Sequence, residues 1–514
     1  MAPPRPYPLQ VTRRARATAA LVVMCVAGLM SAVPASGVPD RPAPGPGTTP
    51  AVLADARLAL RGGDATLALT KLRLAYPTLS NAAREQADRL LARPTDGAAD
   101  PNQFGWSVPE APPVCSATFC VHYVPTGEDA PPPADADADG VPDQVTTTLA
   151  TMESVLDHHT RVLGYRPPVP DGTLGGGPQF DVYLSQLGAR GLYGFCAAEN
   201  RAPGQRFVYS GYCVLDNDFV EFPLGPLPSL QVTAAHEFFH AIQFAYDAGE
   251  DGWFMESTAT WVEERYGDDI DDNRQYLRHG QLGKPKVPLD LYDIGGEGQY
   301  GNWLFFERLS QRYGVDAVRR IWEQADATRG APDRFSTAAV ARVLGREGTS
   351  LSEFYADFAA GNQAPAAFYE EGASYRRSPV IRTVKLRKGS ADLRERRRLD
   401  HLTSAAYRFE TSSSLHGKWR LRIKVTGPPA AAGTAADVLL ARKDGTASLV
   451  RLRIRANGTG ARSVVVDSRL DSATLVLANA STRFKPCWRQ TGYSCQGTPR
   501  DDGATFEFTA SLRR

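Results

Sequence analysis

Ser229-Leu-Gln-Val-Thr-Ala-Ala-His236-Glu237-Phe-Phe-His240-Ala-Ile-Gln243 lies near the middle of the 514-residue chain and contains the pattern His-Glu-x-x-His. Ala234, Phe238, Ile242 and Ala245 recur at helical spacing and predict a helix with one apolar stripe. Pro228-Ser229 supplies a start, with Ser229 as N-cap. Asp247-Ala-Gly249-Glu-Asp-Gly252 supplies the turn that ends it. Residues four apart sit one turn apart on the same face. The imidazoles of His236 and His240 can therefore reach one metal ion, with Glu237 left beside it. The chain has eight histidines in all, and two fall at this spacing. The stretch reads as the helix of a zinc hydrolase; the bland alternative is a surface helix that carries the pattern by chance.

A catalytic zinc takes three protein ligands and keeps a position for water. The third must come from an element packed on the first helix. Trp253-Phe-Met-Glu256-Ser-Thr-Ala-Thr260-Trp261-Val-Glu263-Glu264 predicts a second helix, Trp253 to Tyr266, closed by Gly267. Glu256 stands in an apolar start, where a buried carboxylate is costly unless paired or bound to metal. It is the expected third ligand. Glu263 and Glu264 precede Arg265 and more acids, and read as a solvated helix end. Glu263 also lies two turns from Glu256 on the same face, which leaves a supporting role open. Thr260, one turn past Glu256, is a candidate hydrogen-bond partner for a ligand.

The rest of the chain gives these helices a setting. Arg13, Arg14 and Arg16 precede an apolar run from Ala17 to Val33, and Ala35-Ser-Gly37 follows. Residues 1–37 read as a secretory signal peptide. The run is broken by Gly28 and Pro34 and is short for a membrane span. Cys25 falls within the run, and its surroundings do not form a lipoprotein box. Export leaves six cysteines: Cys115, Cys120, Cys196, Cys213, Cys487 and Cys495. An even count in an exported chain argues for disulfides. Fifteen connectivities are open; pairing of sequence neighbours is the simplest. Buried free thiols or a cysteine metal site are the alternatives, although no pair has zinc-knuckle spacing. A formal net charge of +1 gives no reason to invoke nucleic acid. No later stretch is apolar enough to span a bilayer, and the mature chain is expected to be a secreted monomer.

Residues 38–50 are rich in Pro and Gly and read as a leader. Leu53, Leu58, Leu60, Leu67, Leu69, Leu72 and Leu74 then predict a small helical unit to about Arg93. Residues 38–100 are either a prosegment or a plain N-terminal subdomain. Asp135-Ala-Asp137-Ala-Asp139-Gly140-Val-Pro-Asp143 alternates carboxylates and then turns at Gly, a pattern that wraps oxygens around a hard cation such as calcium. An EF-hand needs Glu at its twelfth position, where Thr146 stands. The run is closer to the Asp-x-Asp-x-Asp-Gly-x-x-Asp loops of extracellular calcium repeats; a solvated acidic linker is the alternative. A helix is expected from Val145 to Leu163. Its adjacent His158 and His159 point about 100° apart and read as surface residues. Phe180–Leu184 reads as a strand, and Arg206–Ser210 with Cys213–Leu215 as a hairpin around Gly211. Arg382–Arg398 reads as a basic linker or edge strand. Beyond His401 the apolar period becomes two, through Trp419, Leu421, Ile423 and Val425 and on to Phe506, Phe508, Ala510 and Leu512. Residues 376–514 therefore read as a β-sandwich with no catalytic constellation.

Two motifs carry a family resemblance. Trp253-Phe-Met-Glu256-Ser-Thr-Ala-Thr-Trp-Val-Glu263 resembles the Trp-Leu-x-Glu-Gly-x-Ala-x-Tyr-x-Glu segment of aminopeptidase-like gluzincins, in which that Glu binds zinc. Ser257 replaces the Gly, and the gap from His240 to Glu256 is shorter than in aminopeptidases or thermolysin. His-Glu-Phe-Phe-His-Ala-Ile-Gln-Phe with Trp-Phe-Met-Glu-x-x-Ala-Thr-Trp is also similar to a group of exported metallopeptidase-like proteins, over most of residues 100–375. Gln299-Tyr300-Gly-Asn-Trp-Leu-Phe-Phe-Glu-Arg-Leu resembles the helix after the aminopeptidase zinc site, whose first Tyr stabilises the oxyanion; that position is Tyr300.

The resemblance implies an α+β, gluzincin-like metallopeptidase domain over 101–375. It also implies a substrate-holding edge strand ahead of the zinc helix, and ligation by His236, His240 and Glu256. Glu237 would be the general base and Tyr300 the oxyanion donor. The cofactors implied are Zn²⁺ and, at the acidic loop, Ca²⁺. The substrate implied is a protein or peptide. A secreted zinc-containing adhesin, or a zinc hydrolase of a non-peptide bond, are the rival readings.

Overall fold

Asp64 opens the second of three N-terminal helices, α1 (Thr49–Ala59), α2 (Ala65–Ala75) and α3 (Asn81–Leu90); its carboxylate accepts the Leu67 N–H at 2.9 Å. The structure is a computed structural model and describes residues 49–96, 105–412, 415 and 417–514. The expected signal peptide and most of the Pro/Gly leader lie outside the described residues. Leu53, Leu60, Leu69, Leu72, Ala83 and Leu90 pack together between the three helices, as their spacing requires.

The first sheet follows. It is built from β1 (Val114–Cys115), β2 (Phe119–His122), β3 (Phe180–Ser185), β4 (Gly194–Arg201) and β5 (Tyr209–Asp216), in the order β1-β2-β3-β5-β4. β3 is parallel to β2 and β5, whereas β4 runs antiparallel to β5 and forms one edge. Side chains alternate across the sheet. Tyr183, Phe195, Ala197, Tyr212 and Val214 face the N-terminal helices. Val182, Leu184, Cys196, Cys213 and Leu215 join the larger core on the other face.

That second face is covered by α4 (Asp143–Asp157), which continues as a π-helical turn over His158–Val162, and by α5 (Pro226–Asp247). The sheet is therefore the middle of three layers. Two sequence expectations change here. The hairpin around Gly211 is instead one continuous strand, and Gly211 is needed mid-strand because a Cβ there would meet Ala197 O at 2.6 Å. His159 is not on the surface. It is fully buried, and its Nε2 donates to Ala235 O of α5 at 2.9 Å. Burial pushes its pKa down to about 3, so the ring is neutral.

α5 starts three residues before the expected cap. Gly225 is the N-cap and Pro226 the first helical residue, where a fixed φ and a missing N–H cost nothing. Ser229 lies inside the helix, buried. α6 (Gly252–Tyr266) folds back on α5 and ends at Gly267 as expected. Six shorter helices complete this part: α7 (Gly298–Gly301), α8 (Trp303–Tyr313), α9 (Asp316–Ala325), α10 (Ser336–Arg346), α11 (Leu351–Gly361) and α12 (Pro365–Phe368). Ser350 and Glu353 form a capping box at the start of α11. Trp253, Phe254, Phe306 and Trp322 stack in the core behind α6.

The remaining strands are β6 (Arg382–Leu386), β7 (Leu393–Leu399), β8 (Thr403–Thr411), β9 (Trp419–Thr426), β10 (Thr434–Arg442), β11 (Ala447–Arg451), β12 (Thr459–Val466), β13 (Leu470–Asn479) and β14 (Ala504–Arg513). They form two sheets, β11-β10-β13-β8-β6 and β12-β9-β14-β7. Both contribute to one core through Tyr407, Phe409, Leu421, Ile423, Leu475, Phe506 and Phe508. The basic stretch from Arg382 supplies the edge strands β6 and β7. Among the described residues the chain is thus mixed α and β, with three sheets.

The sandwich is joined to the helices by buried polar contacts as well as apolar ones. Ala359 and Ala360 of α11 pack on Ala406 and Val476. His401, 1 % exposed, bonds Asp290 through Nε2 at 2.8 Å and Asp502 through Nδ1 at 2.7 Å. The Cys495 N–H donates to Asp251, the residue that precedes α6, at 2.9 Å.

Candidate metal centre

α5 and α6 pack side by side and bring His236, His240 and Glu256 together, with their ligand atoms all within 4.8 Å of one another. Nε2 of His236 lies 3.1 Å from Glu256 Oε2, and Nε2 of His240 lies 3.4 Å from Oε1. The other nitrogen of each ring is held from behind. His236 Nδ1 donates to Glu263 Oε1 at 2.5 Å, and His240 Nδ1 donates to Gln243 Oε1 at 2.7 Å. Gln243 is fixed in turn by donating to Met255 O at 2.9 Å. These contacts set both tautomers so that an Nε2 lone pair faces Glu256. Glu256 is 1 % exposed, and its Oε1 has no hydrogen-bond partner. Two imidazole nitrogens and a buried carboxylate gathered in this way form a donor set that fits a divalent cation of zinc's ligand preference.

Glu263 and Glu264 are not a solvated helix end. Both are buried. Burial lifts the Glu263 carboxyl to about 7, against the pull of His236. Burial lifts Glu264 to about 8, and Asn273 Nδ2 donates to it at 2.6 Å. The supporting position left open for Glu263 is thereby occupied. Thr260 does not support a ligand: its hydroxyl is buried without a hydrogen-bond partner.

Glu237 follows His236 on α5 and lines a cavity of about 350 Å³ with His236, His240, Glu256 and Tyr300. The Tyr300 ring centroid lies 6.0 Å from that of His236 and 5.3 Å from that of Tyr276. Gly301 fixes this placement, because a Cβ there would meet Tyr276 O at 2.2 Å. Burial, then the charges of Asp64 and Glu256, raise the Tyr300 hydroxyl well above its usual pKa. It remains a proton donor at neutral pH.

Sequence reasoning missed two residues of this cavity. Thr66, from the start of α2, donates its hydroxyl to Glu237 Oε2 at 3.0 Å. The same oxygen accepts the Cys196 N–H at 2.9 Å, which directs its single proton toward Glu237. Asp64 also lines the cavity, and its Oδ2 accepts from the Tyr292 hydroxyl at 3.0 Å. Burial, with the charge of Glu256, pushes Asp64 up to about 8. In the sequence, Gly-Gly-Asp64-Ala-Thr66 signals no more than a helix cap.

Away from the cavity, Asp135, Asp137 and Asp143 bring carboxylate oxygens within 4.8 Å of one another. Asp139, expected with them, lies outside that group and accepts the Val141 N–H at 2.8 Å. Asp135 accepts from the Gly140 N–H at 2.9 Å. The cysteines pair as sequence neighbours: Cys115 with Cys120, Cys196 with Cys213, and Cys487 with Cys495. Among the described residues no helix is long and apolar enough to cross a membrane.

A family of unknown function (DUF6055) matches residues 227–410, which include His236, His240 and Glu256. No curated protein matches the chain. Among solved structures, the pre-peptidase C-terminal domain of a collagenase from Bacillus anthracis is 11 % identical, with 26 % of this chain and 97 % of that one covered and a TM-score of 0.16. The insecticidal delta-endotoxin Cry8Ea1 from Bacillus thuringiensis is 14 % identical, with 22 % and 18 % covered and a TM-score of 0.13. A family GH115 4-O-methyl-α-glucuronidase is 8 % identical, with 55 % and 41 % covered and a TM-score of 0.15.

Proposed function

We propose that the chain is an exported, zinc-dependent peptidase with gluzincin-type ligation by His236, His240 and Glu256. The observation that carries this reading is the convergence of two imidazole Nε2 atoms on the two oxygens of the buried Glu256 carboxylate, with Glu237 in the same cavity. The paired cysteines and the signal-like start support export. Asp135, Asp137 and Asp143 are read as a structural calcium loop.

A zinc ion bound by His236, His240 and Glu256 would supply Lewis acidity for a carbonyl and for the attacking water. Glu237 accepts the proton of the attacking water and passes it to the leaving nitrogen. Tyr300 donates its hydroxyl toward the oxyanion. Glu263 and Gln243 keep the two imidazoles in the required tautomer.

Metal analysis of the mature protein, run beside cleavage of casein or a peptide library, tests this reading. Zinc is expected at one equivalent. Glu237→Gln is expected to abolish cleavage by a factor of about 10³ or more while zinc content stays near normal. A chain without zinc, or cleavage untouched by Glu237→Gln, overturns it.

A further inference from the structure

β4 is an edge strand, yet its outward backbone groups are engaged. In an antiparallel pair alternate residues point their N–H and C=O groups away from the partner. On β4 these include the Cys196 N–H and the Ala198 C=O. An extended peptide adds to a sheet edge by pairing with such groups. Here α2 takes them with side chains. Thr66 Oγ1 accepts from the Cys196 N–H at 2.9 Å, and Arg73 Nε donates to Ala198 O at 3.2 Å. The Thr66 hydroxyl also holds Glu237, the residue assigned as general base. Asp64, just before the helix, stands in the same cavity as the metal ligands.

A charged latch keeps the segment down. Arg93, 4 % exposed, follows α3 and donates to three carboxylates of the main body: Glu199 at 2.7 and 2.8 Å, Asp171 at 2.8 Å and Asp181 at 2.5 Å. The Tyr212 hydroxyl donates to Ala92 O at 3.0 Å beside it. The segment is thus tied at two places, to the β4 edge through α2 and to the sheet face through Arg93.

We infer that residues 49–96 are an internal occupant of the substrate cleft, with α2 lying along the β4 edge where an extended peptide would pair, so that the enzyme is latent until α2 releases that edge. This inference rests on the peptidase reading. It also separates the two sequence alternatives for this unit: the segment acts as an inhibitory piece, whether or not it is later removed.

The test uses the full chain, zinc-loaded, with Thr66→Val and Arg73→Ala together and with Arg73→Ala alone. Arg73→Ala touches no metal ligand and serves if the double variant fails to fold. Kinetics on an internally quenched extended peptide are expected to show kcat/KM rising tenfold or more for the double variant, mainly through a lower KM. In a Glu237→Gln background, anisotropy of a fluorescent decapeptide is expected to show binding tightened by a similar factor. A fall in kcat at constant KM, with decapeptide binding unchanged, overturns latency and makes Thr66 a positioning residue for Glu237. Kinetics and binding that match the parent chain overturn it as well. A zinc-free chain, or cleavage that survives Glu237→Gln, removes the peptidase reading itself and is told apart by those two controls.

Discussion

Glu263 Oε1 lies 2.5 Å from Nδ1 of His236, two helical turns beyond Glu256 on the same helix. One helix thus supplies both a member of the His236, His240 and Glu256 cluster and the group that orients His236. Glu263→Gln keeps the shape and removes the charge. Zinc affinity is expected to fall by roughly 10- to 100-fold with the fold intact, measured by chelator competition and circular dichroism. Affinity equal to that of the parent would show that Glu263 does not tune the site.

Gly301 is the second lever on the cavity. A methyl group there meets the Tyr276 carbonyl, so α7 must shift and carry Tyr300 with it. Gly301→Ala is expected to destabilise the chain by about 1–3 kcal/mol in denaturant titration. It should also lower kcat, in the same direction as Tyr300→Phe. A stability and kcat equal to the parent's would mean that α7 relaxes without moving Tyr300.

His401 makes stability depend on alkaline pH. Burial disfavours its charged form, but Asp290 and Asp502 outweigh burial and raise its pKa to about 9. A raised histidine stabilises fully below its unfolded pKa of about 6.5 and loses that contribution as pH climbs through the folded value. The difference between the folded and unfolded values corresponds to roughly 3 kcal/mol. Unfolding free energy of the parent chain is expected to fall between about pH 6.5 and 9, with the difference from His401→Gln shrinking across that window. Parallel curves for the two proteins would refute the charged pair.

The acidic loop gives a test independent of hydrolysis. Ala138 holds a φ of 58° between Asp137 and Asp139, a conformation that is unfavourable for alanine. If calcium fills the loop, millimolar calcium raises Tm by several degrees and Asp137→Ala removes the rise, as read by scanning calorimetry. An identical calcium response in Asp137→Ala would place the effect elsewhere.

The gathering of His236, His240 and Glu256 was legible because a helix turns local spacing into geometry. His236 and His240 need no partner element to share a face, and Glu256 was marked by its apolar neighbours. The β-sandwich was legible for the same reason, through its period of two. Glu263 and Glu264 were misread because charge in sequence normally means solvent; a histidine and an asparagine 27 and 9 residues away reverse that. His159 was misread because its partner is a backbone carbonyl on α5, and backbone carbonyls leave no mark in a residue pattern. Thr66 sits 171 residues from Glu237, beyond any periodic signal. Its place depends on the three-layer packing, which requires the sheet to exist first.

The contact between Cys495 and Asp251 bears on the order of synthesis. The helix that carries Glu256 begins against a backbone N–H that is made 244 residues later. A nascent chain therefore holds His236, His240 and Glu256 long before the loop that abuts α6 has been translated, and a product that stops short of residue 495 carries those residues without that support.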